Sequence, residues 1–389
     1  MIRRRLLLFF IPIVVACTGA PVAGSDPLAD AFDAADMPPA YMSAINVETG
    51  ESMTRAFGYD ESGEQIFRIA SMTKTVTTVA ALQLVEKGLV GLDEPLEPRV
   101  PALAAVRLLT EDCQQVTPET PVTLRHLLRH TSGFGYAFTS ERLQKCGFEA
   151  EWSPTTPRVF EAGSDYLYGR GIGWAGKVVE ELSGQSLEDY FREHISGPLG
   201  LDRTWFDVPP ALQDAIQPYG FYAPDNSADG YSEELQLFPN RVPVAPSNQY
   251  GGGSLFSSPN DYRRFLSMIA NGGELDGVRI LGESMVEEMF RNQLPNGMTR
   301  KIVCIDPSRC DKANLGPTDD LFGLGFALVA GPDGAATARG YWGGIFNSYF
   351  TIDYDRKIVV VYFSQYLPYA HSDAYGLYRR FEEEAFERL

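Results

Sequence analysis

The segment RIASMTKTVTTVAALQLVEKGLV, residues Arg68 to Val90, predicts a long buried helix. It contains no proline, its one glycine (Gly88) stands near the end, and its apolar residues leave almost no polar face. Ser71 stands at the start of this helix and Lys74 follows three residues later, on the same helical face. The lysine ammonium is therefore predicted to reach the serine hydroxyl. The alternative is that Ser71 caps the helix and Lys74 extends along its surface to solvent.

The composition limits the class of protein. A chain of 389 residues is long enough for two or three packed lobes, at roughly 100–200 residues per domain. Its 44% hydrophobic and 12% aromatic residues can fill a sizeable core. The formal net charge of -18 argues against nucleic acid as a partner, because neutralising phosphates requires clustered Lys and Arg. The acidity bears on solubility and does not select a substrate.

The first residues have the pattern of a targeting segment. Arg3 to Arg5 form a charged region, and Leu6 to Ala16 is an apolar run too short to span a bilayer comfortably. We therefore interpret residues 1–24 as a signal peptide of an exported, periplasmic protein. Val-Val-Ala before Cys17 resembles a bacterial lipobox, which favours a lipid anchor on Cys17 as the only membrane attachment. Ordinary cleavage before Ser25 is the alternative.

The remaining cysteines predict disulfides. Removing Cys17 leaves an even number in an exported chain: Cys113, Cys146, Cys304 and Cys310. Four cysteines allow three pairings, and short loop closure favours Cys113–Cys146 and Cys304–Cys310. Metal binding by these residues is disfavoured, since no Cys-x-x-Cys pair is present.

The order of strand-like and helical segments predicts the organisation of the chain. Segments such as Ala40 to Val47 near the start, and others after residue 320, alternate like strands, whereas the middle is helical with Pro- and Gly-rich joints. We expect an α/β lobe from residues 27–95 and 240–389, with one sheet closed by both chain ends, and a mostly helical lobe from residues 96–239. Such a layout places a cleft between the lobes, with Ser71 at their junction.

The histidines do not predict a catalytic base. His126 and His130 stand four apart on a helix, but Leu127 occupies the position where the metalloprotease motif requires Glu, which favours packing or capping over metal binding. The Gly-x-Ser-x-Gly elbow of α/β-hydrolases is absent from the sequence. A serine nucleophile then needs a lysine base whose pKa lies well below its usual value of about 10.4. A tyrosine can share the proton, and backbone N–H groups must form an oxyanion hole.

Five segments of the chain carry a recognisable series of motifs. They are Ser71-Met72-Thr73-Lys74, Thr123 to Gly133 (TLRHLLRHTSG), Ala162-Gly163 followed by Tyr168 and Gly171 to Gly184, Gly251 to Leu281, and Tyr341-Trp342-Gly343-Gly344. In order and content they resemble motifs of serine β-lactamases, penicillin-binding proteins and the class C β-lactamase-related (family VIII) carboxylesterases, over about residues 40 to 365. The resemblance implies an α/β (α+β) protein with the β-lactamase/transpeptidase-like fold: an antiparallel sheet flanked by helices, with an inserted mostly helical lobe.

The resemblance also implies a role for each matching residue. Ser71 would be the nucleophile, Lys74 its general base partner and Tyr168 a second proton shuttle. The N–H groups of Ser71 and of Ile345, just beyond the glycine pair, would form the oxyanion hole, which the N-terminus of a helix also favours. Tyr166 is the alternative to Tyr168, whose spacing in the motif fits better. Neither a metal nor a cofactor is implied.

Two residues depart from the family's pattern and bear on the substrate. Arg170 stands where the family carries an Asn that contacts a substrate amide, and it is either a new cation for the substrate or part of a structural ion pair. Trp342 stands where penicillin-processing enzymes carry the Lys that pairs with the substrate carboxylate. Together with Gly343 and Gly344, these are the predicted substrate-binding residues. An aromatic wall in place of a cation suits an ester or amide with apolar bulk.

The sequence therefore predicts an exported serine hydrolase that forms an acyl-enzyme on Ser71 and hydrolyses a carboxylic ester of a small molecule. A peptidase or amidase for small or unusual linear peptides is the alternative, if Arg170 captures a carboxylate. A protein of another class, a β-lactam- or peptide-binding sensor that is acylated without turnover, is the third reading. In each case the partner is a small-molecule ester or peptide, and β-lactamase activity is expected to be weak.

Overall fold

The computed structural model of the protein covers most of the chain. It describes residues 26–35, 37–148, 155–224, 231–238, 249–295, 297–301, 303–311 and 321–389. The predicted signal peptide and Cys17 therefore lie outside the described residues. Among those residues, no helix combines the length and the apolar character that crossing a membrane requires.

Helices come mainly from the middle and the end of the chain. In the described ranges the α-helices are α1 (Pro27–Ala34), α2 (Thr73–Glu86), α3 (Pro101–Ala104), α4 (Leu124–Leu128), α5 (Glu141–Lys145), α6 (Gly171–Ser183), α7 (Leu187–Phe191), α8 (Pro259–Ala270), α9 (Glu283–Met289) and α10 (Ser372–Arg388). Short 3₁₀-helices cover Ala70–Met72, Ala137–Thr139 and Pro210–Ala215, and a π-helical turn covers Arg192–Ser196.

One seven-stranded antiparallel sheet organises the fold. The strands of the described ranges are β1 (Ala40–Asn46), β2 (Ser52–Phe57), β3 (Phe67–Arg68), β4 (Leu108–Leu109), β5 (Gln115–Val116), β6 (Tyr219–Pro224), β7 (Tyr231–Phe238), β8 (Phe256–Ser257), β9 (Glu274–Leu275), β10 (Val278–Arg279), β11 (Leu321–Phe322), β12 (Ala327–Ala330), β13 (Ala336–Gly344), β14 (Ser348–Asp353), β15 (Ile358–Phe363) and β16 (Tyr366–Leu367). The large sheet has the order β11-β12-β13-β14-β15-β1-β2. Strand β1 pairs with β15, with Ala44 opposite Val360, so both ends of the chain close one sheet as expected.

The sheet separates two hydrophobic clusters. Successive residues of β15 point to opposite faces, so Val359, Val361 and Phe363 belong to the cluster that contains α2 and α8. Ile358 and Val360 belong to the cluster on the other face, under α10. A strand buried on both faces explains the continuous apolar run in its sequence.

Helix α2 confirms the buried helix predicted from the opening segment, with a later start. Every residue from Thr73 to Leu84 is buried. The α-helix begins at Thr73 rather than near Arg68, because Arg68 belongs to β3 and Ala70–Met72 forms a 3₁₀-helix. The chain turns at Ala70, whose φ of 45° lies in the left-handed region.

Both favoured disulfides are present. Cys113–Cys146 joins the β4–β5 hairpin to the end of α5, with a Cα–Cα distance of 5.5 Å. Cys304–Cys310 closes a short segment, with a Cα–Cα distance of 6.4 Å. The pairing by shortest loop is therefore confirmed.

Candidate active site

Ser71 lies in the 3₁₀-helix that leads from β3 into α2, and its hydroxyl receives two hydrogen bonds. The Lys74 ammonium donates to Ser71 Oγ at 3.1 Å, and the Tyr168 hydroxyl donates to the same atom at 2.6 Å. The N-cap of α2 is Met72, which makes no side-chain capping bond. The Ser71 hydroxyl is therefore engaged with Lys74 and Tyr168 rather than with the helix end.

Lys74 is fully buried instead of extending to solvent, with 0% of its surface exposed. Besides Ser71, its ammonium donates to the Tyr136 hydroxyl at 3.1 Å and to the Gly252 carbonyl at 2.6 Å. Burial disfavours the charged form and lowers the pKa of Lys74 from 10.5 to about 7. A large fraction of Lys74 is thus neutral near pH 7 and able to accept a proton.

The tyrosine that reaches the Ser71 hydroxyl is Tyr168. Its ring lies 5.1 Å from the Lys74 nitrogen, and burial raises the pKa of Tyr168 well above 10. The phenol is therefore protonated and donates to Ser71 in the resting site. Tyr166, the alternative from sequence, makes no such bond: within the described residues its buried hydroxyl has no hydrogen-bond partner.

Tyr136 is a site residue that the sequence analysis missed. Its hydroxyl accepts the hydrogen bond from Lys74 and lies 3.2 Å from the Tyr250 hydroxyl. Thr139 holds both tyrosines in place, because its Oγ1 accepts from the N–H of Tyr136 and donates to the Tyr168 carbonyl. The only signal in the sequence is that Tyr136 closely follows the TLRHLLRHTSG segment.

Replacing Tyr136 by phenylalanine tests its effect on Lys74. A neutral lysine acting as base makes kcat/KM rise with pH through the Lys74 pKa of about 7. The variant removes a hydrogen-bond acceptor that stabilises the Lys74 ammonium, and this loss lowers the pKa of Lys74. The acid limb of the pH–rate profile should therefore move to lower pH by about one unit. Tyr250→Phe is the matched control, since Tyr250 contacts Tyr136 and should move the limb less. If the acid limb stays in place or moves to higher pH, Tyr136 does not stabilise the Lys74 ammonium.

The two histidines of the α4 region have structural contacts. The N–H of Thr123 donates to His126 Nδ1 at 3.3 Å, while Thr123 Oγ1 accepts from the N–H of His126 at 3.3 Å. This reciprocal pair caps α4. His130 is buried with its ring against that of Tyr168, at a centroid distance of 4.9 Å. Capping and packing are therefore confirmed for these residues.

A cavity that is partly open to solvent lies beside Ser71. Its lining is Ser71, Phe138, Thr139, Tyr168, Val303, Cys304, Cys310, Trp342, Gly343, Ile345 and Tyr369. Ser71 and Ile345, the residues predicted to form the oxyanion hole, thus face the same space. The end of β13 can approach the segment that carries Ser71 because Gly344 has no side chain: a Cβ there would lie 2.4 Å from the Ile69 carbonyl oxygen.

Arg170 is not among the described residues that line this cavity, so its contact with a substrate stays a prediction. Its side chain is buried, with 1% exposed. Its guanidinium donates to the Thr156 hydroxyl and lies 5.8 Å from the centre of the Tyr136 ring. Arg170 is the residue directly before α6.

Comparison with known proteins identifies the family. A model of the family described as Beta-lactamase matches residues 40–385. The chain belongs to the beta-lactamase family. The match begins at β1 and ends within α10, so the seven-stranded sheet and the candidate site both lie within the beta-lactamase domain.

Two curated proteins show similarity within this family. Monacolin J acid methylbutanoyltransferase from Aspergillus terreus is 32% identical over 247 residues, which cover 58% of this chain and 57% of that protein. Lovastatin esterase from Penicillium rubens is 32% identical over 256 residues, which cover 59% of this chain and 60% of that protein. The chain thus matches somewhat more than half the length of these relatives.

Solved structures confirm the fold of this beta-lactamase family member. A mutant (LovD6) of simvastatin synthase from Aspergillus terreus superimposes with a TM-score of 0.76 at 27% identity, covering 93% of each chain. The expected β-lactamase/transpeptidase-like fold is therefore confirmed, with its antiparallel sheet and flanking helices.

Proposed function

We propose that the protein is a serine hydrolase that forms an acyl-enzyme on Ser71 and hydrolyses a carboxylic ester of a small molecule. One observation carries the proposal: the Ser71 hydroxyl lies between a buried lysine whose pKa is about 7 and a protonated Tyr168. A serine activated by an adjacent base is the arrangement that acyl transfer through a covalent intermediate requires. Incubation with p-nitrophenyl butyrate and with an activity-based phosphonate tests turnover and the nucleophile separately.

Acylation follows from the hydrogen bonds at Ser71. Tyr168 donates to Oγ, which leaves the serine proton free for neutral Lys74 to accept while Oγ attacks the ester carbonyl carbon. The N–H groups of Ser71 and Ile345 stabilise the oxyanion. The carbon–oxygen bond to the alcohol then breaks, the alkoxide takes a proton from Tyr168, and the Lys74 ammonium restores that proton.

Deacylation repeats the same transfers with water in place of the alcohol. Neutral Lys74 accepts the water proton through Tyr168, and the hydroxide oxygen attacks the acyl carbon. The bond from carbon to Ser71 Oγ breaks, Oγ regains its proton, and the carboxylic acid leaves. The chemistry is complete with side chains and backbone alone.

The cavity supports an uncharged ester as substrate. Its described lining contains neither Lys nor Arg, and Trp342 occupies the position where penicillin-processing enzymes carry a cation. The indole ring of Trp342 lies 5.2 Å from that of Tyr168, which extends the aromatic wall up to the nucleophile. The peptidase alternative depended on Arg170, which lies outside the lining.

We expect uncharged esters to be better substrates than penicillins or cephalosporins. A missing charge-assisted contact of roughly 1.5–3 kcal/mol costs a β-lactam about one to two orders of magnitude in kcat/KM. Trp342→Lys should raise β-lactam turnover relative to ester turnover, whereas the matched Trp342→Phe should not. Comparing nitrocefin with p-nitrophenyl butyrate measures both ratios. A wild-type protein that prefers nitrocefin, or carboxylate-bearing peptides, would contradict the ester assignment.

Acyl transfer to an alcohol is the second candidate function. It is favoured by the similarity to a methylbutanoyltransferase and to a simvastatin synthase. In that reaction an alcohol, rather than water, attacks the acyl carbon on Ser71. Adding 1-butanol to the ester assay distinguishes the two: a hydrolase releases mainly acid, whereas a transferase forms the butyl ester at the expense of acid.

We also propose that the protein works outside the cytoplasm. Two disulfides support this location, since such bonds persist in oxidising compartments. The charged and apolar pattern of residues 1–24, with Cys17 in a lipobox-like sequence, supports export with a lipid anchor to a bacterial membrane. Cytosolic substrates are therefore not favoured.

A further inference from the structure

A disulfide forms part of the cavity beside the nucleophile. Cys304 and Cys310 are 5% and 4% exposed, and both line the cavity together with Val303. Both cysteines belong to residues 303–311, the 303–311 segment. The hydrolytic steps proposed above use none of its side chains, so its presence in the lining needs another explanation.

The 303–311 segment is attached to both sides of the cavity. At one end, the N–H of Ile305 donates to the Phe138 carbonyl at 2.9 Å. At the other, the N–H of Asp311 donates to the Tyr369 carbonyl at 2.8 Å, and the N–H of Tyr369 donates to the Arg309 carbonyl at 2.9 Å. Phe138 and Tyr369 line the cavity themselves, so the 303–311 segment connects two parts of its wall.

The disulfide keeps this wall in one shape. Cross-linking Cys304 to Cys310 closes a ring across a sequence separation of 6, which removes most alternative conformations of the segment. Its sulfur atoms are apolar and polarisable, and they complement the aromatic surface that Trp342 contributes to the same cavity. The wall is therefore both rigid and apolar.

We propose that the 303–311 segment, closed by the Cys304–Cys310 disulfide, sets the largest acyl group that the site accepts. The proposal rests on the ester hydrolysis proposed above. An acyl chain carries no polar atom beyond its carbonyl, so it suits a cavity lined by carbon, sulfur and an indole ring. The alcohol, in contrast, must receive a proton and leave into water. The wall thus determines specificity, while Ser71, Lys74 and Tyr168 carry out the reaction.

The test compares p-nitrophenyl esters from acetate to decanoate. In Cys304→Ala/Cys310→Ala, the best chain length should increase, with kcat/KM for esters beyond the wild-type optimum rising at least about tenfold relative to acetate. Val303→Phe keeps the disulfide and narrows the cavity, so it should lower kcat/KM for the longer esters by a similar factor. This second variant keeps the test decisive if the first does not fold.

The matched control is Cys113→Ala/Cys146→Ala, which removes the disulfide outside the cavity lining. It should lower the melting temperature and leave the chain-length profile unchanged. An unchanged profile in both the Cys304/Cys310 and the Val303 variants would overturn the proposal, as would equal shifts in both cysteine variants. The proposal would also be overturned if the variants changed kcat/KM only when the alcohol part of acetate esters is varied, and not when the acyl chain is varied. Phosphonate labelling of Ser71 in the wild-type protein tests the proposed function separately. If Ser71 is not labelled, the proposed function itself fails.

Discussion

Ser71→Ala abolishes covalent labelling and lowers ester turnover by at least about four orders of magnitude; this is the largest effect we expect. The reason is that the variant removes the oxygen atom that receives hydrogen bonds from both Lys74 and Tyr168. A phosphonate adduct, located by mass spectrometry of a digest, and the release of p-nitrophenol measure the two effects. The fold should persist, because Ser71 makes no capping contact to α2.

Ser254→Ala is the control for this experiment, since Ser254 lies outside the described cavity lining and should retain labelling and turnover. An adduct on Ser254 or Ser132 in the wild-type protein would show that Ser71 is not the nucleophile. The sensor alternative has a different signature: Ser71 becomes labelled, but p-nitrophenol release stops after one equivalent. Continuous release supports an enzyme.

Lys74→Met should lower kcat/KM by about two to four orders of magnitude, the usual contribution of a general base. Methionine matches the length of the buried stem and supplies no proton acceptor. Labelling of Ser71 by a phosphonate should slow by a similar factor but remain detectable, because the nucleophile is intact. Turnover close to that of the wild type would show that Tyr168, not Lys74, accepts the serine proton.

The same variant has a stability signature with a definite sign. The pKa of Lys74 is lower in the folded protein, about 7, than its ordinary value of 10.5. Between these values the unfolded chain binds the extra proton, so this residue makes wild-type stability rise with pH from about 7 upward. Lys74→Met lacks that dependence and should be more stable than the wild type at pH 6, with the advantage shrinking towards pH 9. Urea unfolding at the two pH values measures it, and an advantage that grows with pH would contradict the burial argument.

Much of the site could be predicted because the decisive signals are local or belong to long motifs. Ser71 and Lys74 stand three residues apart, and helical geometry alone brings such residues together. Tyr168 is 97 residues from Ser71, and it was found only because its segment resembles a family motif. The closing of one sheet by β1 and β15 followed from the strand-like patterns at both chain ends.

The sequence did not reveal contacts between residues that are remote in the chain. Tyr136 lies 62 residues from Lys74, and neither periodicity nor spacing encodes their contact. For Arg170 the sequence left a substrate contact and a structural role open, and the direction of its side chain, here towards Thr156, depends on packing.

The sequence by itself determined the family and the fold through a series of motifs that resemble a known family. It determined the buried helix and the pair Ser71 and Lys74 through hydrophobic periodicity and close spacing. Only the tertiary structure decided how these groups are tuned and enclosed. The pKa of Lys74 falls because the surrounding chain excludes water from it. The cavity wall exists because backbone hydrogen bonds join the 303–311 segment to Phe138 and Tyr369, residues remote in sequence. Desolvation and cavity shape are properties of the packed chain, and no single segment contains them.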